Sequence, residues 1–188
     1  MQLLERLGST EFIGREFLVW LWFKSATGEG NFSLGETGTA EIWFDGRIVL
    51  QPDQDDRDER VICLGDTSRS REARFALAEC KSVTEAKIKL CLGDNEWSFI
   101  LDSTWLNFRS FKTPKVMNDD KEDPDGLFYE KLYLIEQALL AMDAIFACFI
   151  ALRLSEDWET RELPALCRWI HEGKQTASLT ENLPSSEL

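Results

Sequence analysis

Few residues in this chain could carry chemistry, and they do not cluster in sequence. The only histidine is His171, so a single chain cannot assemble an imidazole metal cluster or a two-histidine helical motif. The five cysteines, Cys63, Cys80, Cys91, Cys148 and Cys167, stand singly with no C-x-x-C spacing, the pattern of reduced, mostly buried thiols in a cytosolic protein. Any of them could act as a nucleophile only if folding brought it to His171, and nothing in the sequence does so. No G-x-S-x-G, Walker A or G-x-G-x-x-G motif occurs, and Gly28-Glu29-Gly30 lacks the preceding strand and following lysine of a phosphate loop. The acidic loop from Met117 to Gly126 resembles a calcium loop in composition, but its glycine and late glutamate are misplaced for an EF-hand. The expectation is a protein that is not an enzyme, with no catalytic residue, no metal and no cofactor.

Charge is more informative. The chain has 188 residues, with 21 Lys+Arg against 34 Asp+Glu and a net charge of −13, which argues against nucleic-acid or membrane binding through overall charge. Yet from Arg69 to Lys115 the basic residues Arg69, Arg71, Arg74, Lys81, Lys87, Lys89, Arg109, Lys112 and Lys115 outnumber six acidic ones. An acidic chain that gathers its cations in one window can present one basic face to phosphates. Within it, Phe108-Arg109-Ser110-Phe111-Lys112-Thr113-Pro114-Lys115 interleaves rings with cations. One reading is a DNA-backbone contact with a ring free to pack or stack. The plainer one, favoured by these residues alone, is a strand edge guarded by charge with its phenylalanines turned inward.

These residues must be positioned by the elements around them. Ser9 or Thr10 can cap a helix running to Lys24, apolar all round from Phe17 to Phe23. Thr39 to Phe44, Asp45-Gly46 and Arg47 to Gln51 predict a hairpin with a type I′ turn. Asp53 to Arg60 predicts a solvated loop, Val61 to Leu64 a short strand, and the segment from Ser68 a short helix. Val83 to Leu92 alternates apolar Ala86, Ile88 and Leu90 with polar Glu85, Lys87 and Lys89; beyond Gly93-Asp94-Asn95, Trp97, Phe99 and Leu101 alternate in turn. That is a second hairpin.

Leu127 to Leu154 predicts one long helix. Along it Phe128, Leu132, Ile135, Leu139, Met142, Phe146 and Phe149 form a heptad seam, expected either as a core face or as an interface with a second copy or another partner. Further apolar residues, Leu134, Leu140, Ile145 and Ile150, flank it. Ser155 can cap a last helical region that Gly173 ends, leaving residues 174 to 188 as a polar tail expected to be disordered. The result is an α+β fold: an antiparallel sheet of hairpins packed with a long C-terminal helix and an N-terminal apolar helix, one domain over residues 1–172. The first residues lack the character of a signal peptide, and the apolar runs, of which the longer carries Asp143, predict no membrane span.

Several blocks resemble the RdgC family, bacterial recombination-associated DNA-binding proteins. Phe12 to Ser25 is similar to a segment of long members. Glu79-Cys80-Lys81-Ser82-Val83 with Ala86-Lys87-Ile88-Lys89-Leu90 resembles the start of a lysine-bearing strand, and Trp97 to Leu101 the strand after it. Phe108-Arg109-Ser110-Phe111-Lys112 resembles the basic segment that follows, and Phe128 to Ile150 the late helix. The resemblance covers about Phe12 to Trp158 and corresponds to the C-terminal half of such proteins. It implies an α+β fold, sequence-independent duplex DNA binding in the cytoplasmic nucleoid, restraint of the RecA recombinase, and a ring-forming homodimer or a partner supplying the N-terminal half. The residues expected to meet DNA are Lys87, Lys89, Arg109, Lys112 and Lys115. The alternatives are an acidic protein-interaction module without DNA contact, or an acidic mimic of DNA using Asp53 to Glu59 and Asp119 to Asp125.

Overall fold

In the computed structural model, residues 10–35, 38–52, 59–65, 67, 70–117 and 123–181 are described, without the side chains of 10–12 and 173–181. The acidic stretches 53–58 and 118–122, Ser9 and residues 182–188 lie outside them, and with them half of the calcium-like loop and most of the DNA-mimic loops. The elements run α1 (Thr10–Thr27), β1 (Asn31–Ser33), β2 (Thr39–Pro52), β3 (Val61–Gly65), α2 (Arg71–Ala78), β4 (Lys81–Leu92), β5 (Asn95–Asp102), β6 (Phe108–Lys112), α3 (Pro124–Arg153) and α4 (Leu163–Glu181). All strand pairs are antiparallel, in the order β1-β2-β4-β5-β6, with β3 beside the second half of β2. The α+β class expected from the sequence is therefore the class observed.

Period-2 alternation builds the sheet's inner face. Ile42, Phe44, Ile48, Leu50, Ala86, Ile88, Leu90, Trp97, Phe99 and Leu101 all lie in one buried cluster. Onto it folds α1, whose all-round apolar half (Phe17, Leu18, Trp20, Leu21, Trp22 and Phe23) is buried on every side because it has a neighbour on every side. It packs on β2 and β4, meets α3 through Phe17 against Phe146 and Phe149, and meets α4 through Trp22 and Phe23 against Trp169. Trp97 joins sheet to helix directly, its indole N–H donating to the Leu134 carbonyl of α3 at 3.0 Å.

The Asp45-Gly46 hairpin does not form. β2 continues through this dipeptide as one strand of 14 residues, and β4 pairs with both of its halves. Phe44 lies opposite Ile88 and Ile48 opposite Ala86, so extra residues bow out as a bulge, with Gly46 at φ +80 supplying the left-handed conformation. The positive φ that Asp-Gly favours is used, but in a bulge, because Phe44 and Ile48 must both face the core and β4 is long enough to hold both. The expected end at Gly173 is likewise overturned: the helical backbone of α4 runs to Glu181. A glycine within a helix costs only about 1 kcal/mol, so it marks an end only where no hydrogen-bonding turn follows. Ser155 does not cap through its side chain; its hydroxyl donates back to the Leu152 carbonyl at 2.8 Å.

The heptad seam of α3 divides. Met142 and Phe149 are buried and Phe146 packs edge-on to Phe17, whereas Phe128, Leu132, Ile135 and Leu139 are exposed. The core stripe is instead Leu134, Ala138, Ala141, Met142, Ile145 and Phe149. It uses two alanines, which let α3 approach closely and which a search for large apolar residues passes over. Met142 and Phe149 are thus core residues and cannot serve a partner interface. α3 is also, among the described residues, the one helix long and apolar enough to cross a membrane, with a mean hydropathy of 1.9 in its most apolar window and 33% of that window buried.

Candidate nucleic-acid interface

Among the described residues, the helices pack on one face of the sheet and leave the charged residues of the other exposed or half-buried. On β4, Lys87 and Lys89 point to this outer face, alternating with buried Ala86, Ile88 and Leu90. Register carries the pattern across: Trp43, Lys89, Ser98 and Lys112 form one row over β2, β4, β5 and β6. Lys87, Ile100 and Arg109 form the next. Cations two strands apart stand about 10 Å from each other, and those two residues apart on a strand about 7 Å.

Arg109 and Lys112, three residues apart, would project to opposite faces of a regular strand. They share a face because β6 carries one extra residue: Ser98 opposes Lys112 and Ile100 opposes Arg109. Ser110 adopts φ +51 at this bulge, and the parity of the strand flips there. The same flip turns Phe108 and Phe111 inward together, where Phe108 meets Phe99 edge-on at 4.9 Å and Phe111 stacks on it at 5.6 Å. The rings are thus core rather than stacking platforms, and the cations line the edge strand. Lys115 is exposed but lies three residues past β6, outside the rows.

The outer face is salted with carboxylates. Asp45, on the β2 bulge, lies 3.9 Å from Lys87 and 3.7 Å from Lys89, which also meets Glu96 at 3.4 Å. Attraction from Glu96, its hydrogen bond and the charge of Asp45 raise the Lys89 ammonium above its ordinary value, so it stays charged at neutral pH. Glu85 gathers three arginines, Arg109 at 2.9 Å, Arg47 at 3.5 Å and Arg60 at 3.8 Å. Lys112 and Lys115 have no ion pair among the described residues. Six cations, Arg47, Arg60, Lys87, Lys89, Arg109 and Lys112, thus lie on or reach the face, against the five carboxylates Glu41, Asp45, Glu85, Glu96 and Asp102. The face is close to neutral within a chain of −13.

Beyond Glu85 the face runs into an open cleft of about 340 Å³, lined among others by Arg15, Glu85, Asp102, Thr104, Trp105 and Arg109. It draws on α1, β2, β4, β5, the β5–β6 loop and β6, and Trp105 at its rim had no signal in the sequence because no periodic pattern includes it. Among the described residues no group of three or more His, Cys, Asp or Glu side chains is arranged to hold a metal. Burial raises the thiols of Cys63 and Cys91 above their ordinary value, the opposite of nucleophile activation. Cys167 and His171 are one turn apart on α4, both exposed.

The second exposed feature is apolar. Phe128, Tyr129, Leu132, Tyr133, Leu139 and Leu140 protrude from α3, with Phe128 61% exposed. A contiguous stripe of this kind marks a contact surface.

No protein-family model and no curated protein matches the chain.

Proposed function

We propose that the chain is a non-catalytic, RdgC-like protein whose outer sheet face holds the backbone of duplex DNA weakly and without sequence preference, in a nucleoid role linked to recombination. The observation that carries this reading is the pair of cation rows, Lys89 with Lys112 and Lys87 with Arg109, on a face that no helix of the described residues covers. Of the residues expected from the sequence, these four share the face. Phosphates approaching the rows compete with Asp45, Glu85 and Glu96 for the same cations, so binding is weak and sensitive to salt. The resemblance of the sequence blocks to the RdgC family supplies the choice of duplex DNA as the polyanion.

The test is charge reversal. Arg109→Glu together with Lys112→Glu should weaken retention of every duplex sequence alike, by roughly tenfold or more, because phosphate contacts carry no base information. Both side chains are exposed on an edge strand, so the fold should survive, as circular dichroism will check. Undiminished binding by the double variant would refute this choice of residues.

The exposed stripe of α3 favours a protein contact as well, and we assign it to self-association, homodimers being the commonest oligomers. Sedimentation at micromolar concentration should show a dimer, and Leu132→Glu with Leu139→Glu should return it to monomer. A wild-type chain that is monomeric throughout would contradict this assignment.

A further inference from the structure

We infer that the cleft beside Arg109 is a subsite for an unpaired purine nucleotide, guanine best of all. The inference deepens the DNA reading and rests on it for the identity of the ligand. Trp105 is the starting point: the residue is 74% exposed and, among the described residues, its ring has no ring, cation or hydrogen-bond partner. An indole presented this way offers a flat apolar face on which a base can lie.

The loop that presents it is held firmly. Asp102 Oδ1 accepts from the amides of Thr104 at 3.1 Å and Trp105 at 3.0 Å. The Ser103 amide donates to the Thr84 carbonyl at 2.9 Å, and the Asp102 amide to the Asn107 carbonyl at 3.3 Å. Ser103 is fully buried beneath α1, where a Cβ at Gly14 would overlap its carbonyl. A glycine there allows helix and loop to touch, and the contact fixes the base of the loop.

The chemistry around the ring matches a nucleotide group by group. A base can stack on Trp105, as single-strand binders use aromatic side chains. Asp102 Oδ2 takes no hydrogen bond among the described residues, and a carboxylate oxygen accepts from the N–H donors on the Watson–Crick edge of guanine. Arg109, half exposed, and Arg15 line the same cleft and can meet the phosphate. Arg109 also ends a cation row of the outer face, so the backbone of a strand lying along that face passes the cleft mouth. The volume of about 340 Å³ is at the small end of ligand clefts and large enough for one base with its sugar; a base whose Watson–Crick edge meets Asp102 is necessarily unpaired.

The test uses the full chain and deoxyguanosine 5′-monophosphate at low salt, followed by calorimetry. Saturable one-site binding in the millimolar range or tighter is expected, with thymidine monophosphate weaker. Trp105→Ala should weaken it roughly tenfold or more while leaving blunt-duplex retention unchanged, since Trp105 is outside the rows. No saturable binding, or binding indifferent to Trp105→Ala, overturns the subsite whatever the duplex does. Conversely, nucleotide binding lost with Trp105 upholds the subsite even if the duplex assay fails, and that result would refute only the reading of the sheet face.

Discussion

Replacing Trp97 with alanine should cost the fold about 3–5 kcal/mol, the range for a fully buried large aromatic. Trp97 is 1% exposed, on the central hairpin β4–β5, and its N–H is bonded to the Leu134 carbonyl. The substitution therefore opens a cavity between sheet and α3 and cuts a side-chain hydrogen bond that joins them. Trp97→Phe keeps six of the nine ring atoms and loses the hydrogen bond with the rest, at about 2 kcal/mol together. Urea unfolding should show a large drop in midpoint for alanine and a smaller one for phenylalanine. Equal midpoints for wild type and Trp97→Ala would mean the ring is not in the core.

The second large effect is expected at Glu162. Its carboxylate, buried at the end of a π-helical turn over Trp158–Glu162, accepts from the Trp20 indole at 2.8 Å and pairs with Lys24 at 2.6 Å. This clamp holds α4 onto α1. Glu162→Ala leaves a buried indole N–H and a largely buried ammonium short of a partner, a loss of about 3 kcal/mol or more. Lys24 retains Glu29 at 2.7 Å, which keeps the loss toward the lower end. Replacing both partners, Lys24→Met with Glu162→Leu, should recover much of it, because no charge is then stranded.

The clamp also sets a pH dependence. Burial lowers the Lys24 pKa, but hydrogen bonds and attraction from Glu162 and Glu29 outweigh it and raise the ammonium above its ordinary 10.5. A folded-state value above the unfolded one means the stabilisation is complete below pH 10.5 and lost as pH rises through the raised value. Thermal melts should thus show the gap between wild type and Lys24→Met narrowing above pH 10.5. A gap that stays constant through that range would show that the ammonium contributes nothing.

What the sequence discloses depends on whether one local rule governs a residue. The β4–β5 hairpin is legible because alternation and the Gly93-Asp94 turn agree. At Asp45-Gly46 the local preference for positive φ was right and its use wrong, since burial of both Phe44 and Ile48 decided between turn and bulge. On α3 the apolar residues surround the helix, so periodicity fixes the element but not the face; the decisive alanines, Ala138 and Ala141, carry little weight in a hydrophobic pattern. The cation rows needed the Ser110 bulge, which no propensity signals. The cleft needed a helix, four strands and a loop, and its exposed tryptophan has no pattern to belong to.

The most direct measurement is retention of duplex DNA by the full chain as salt is varied. Four cations in two rows, each displacing condensed counterions, predict that log K falls with log salt at a slope of about −3.6. Reversing Arg109 and Lys112 should flatten the slope by about half. No retention at low salt, or retention indifferent to salt, would contradict the assignment of the outer sheet face to the DNA backbone.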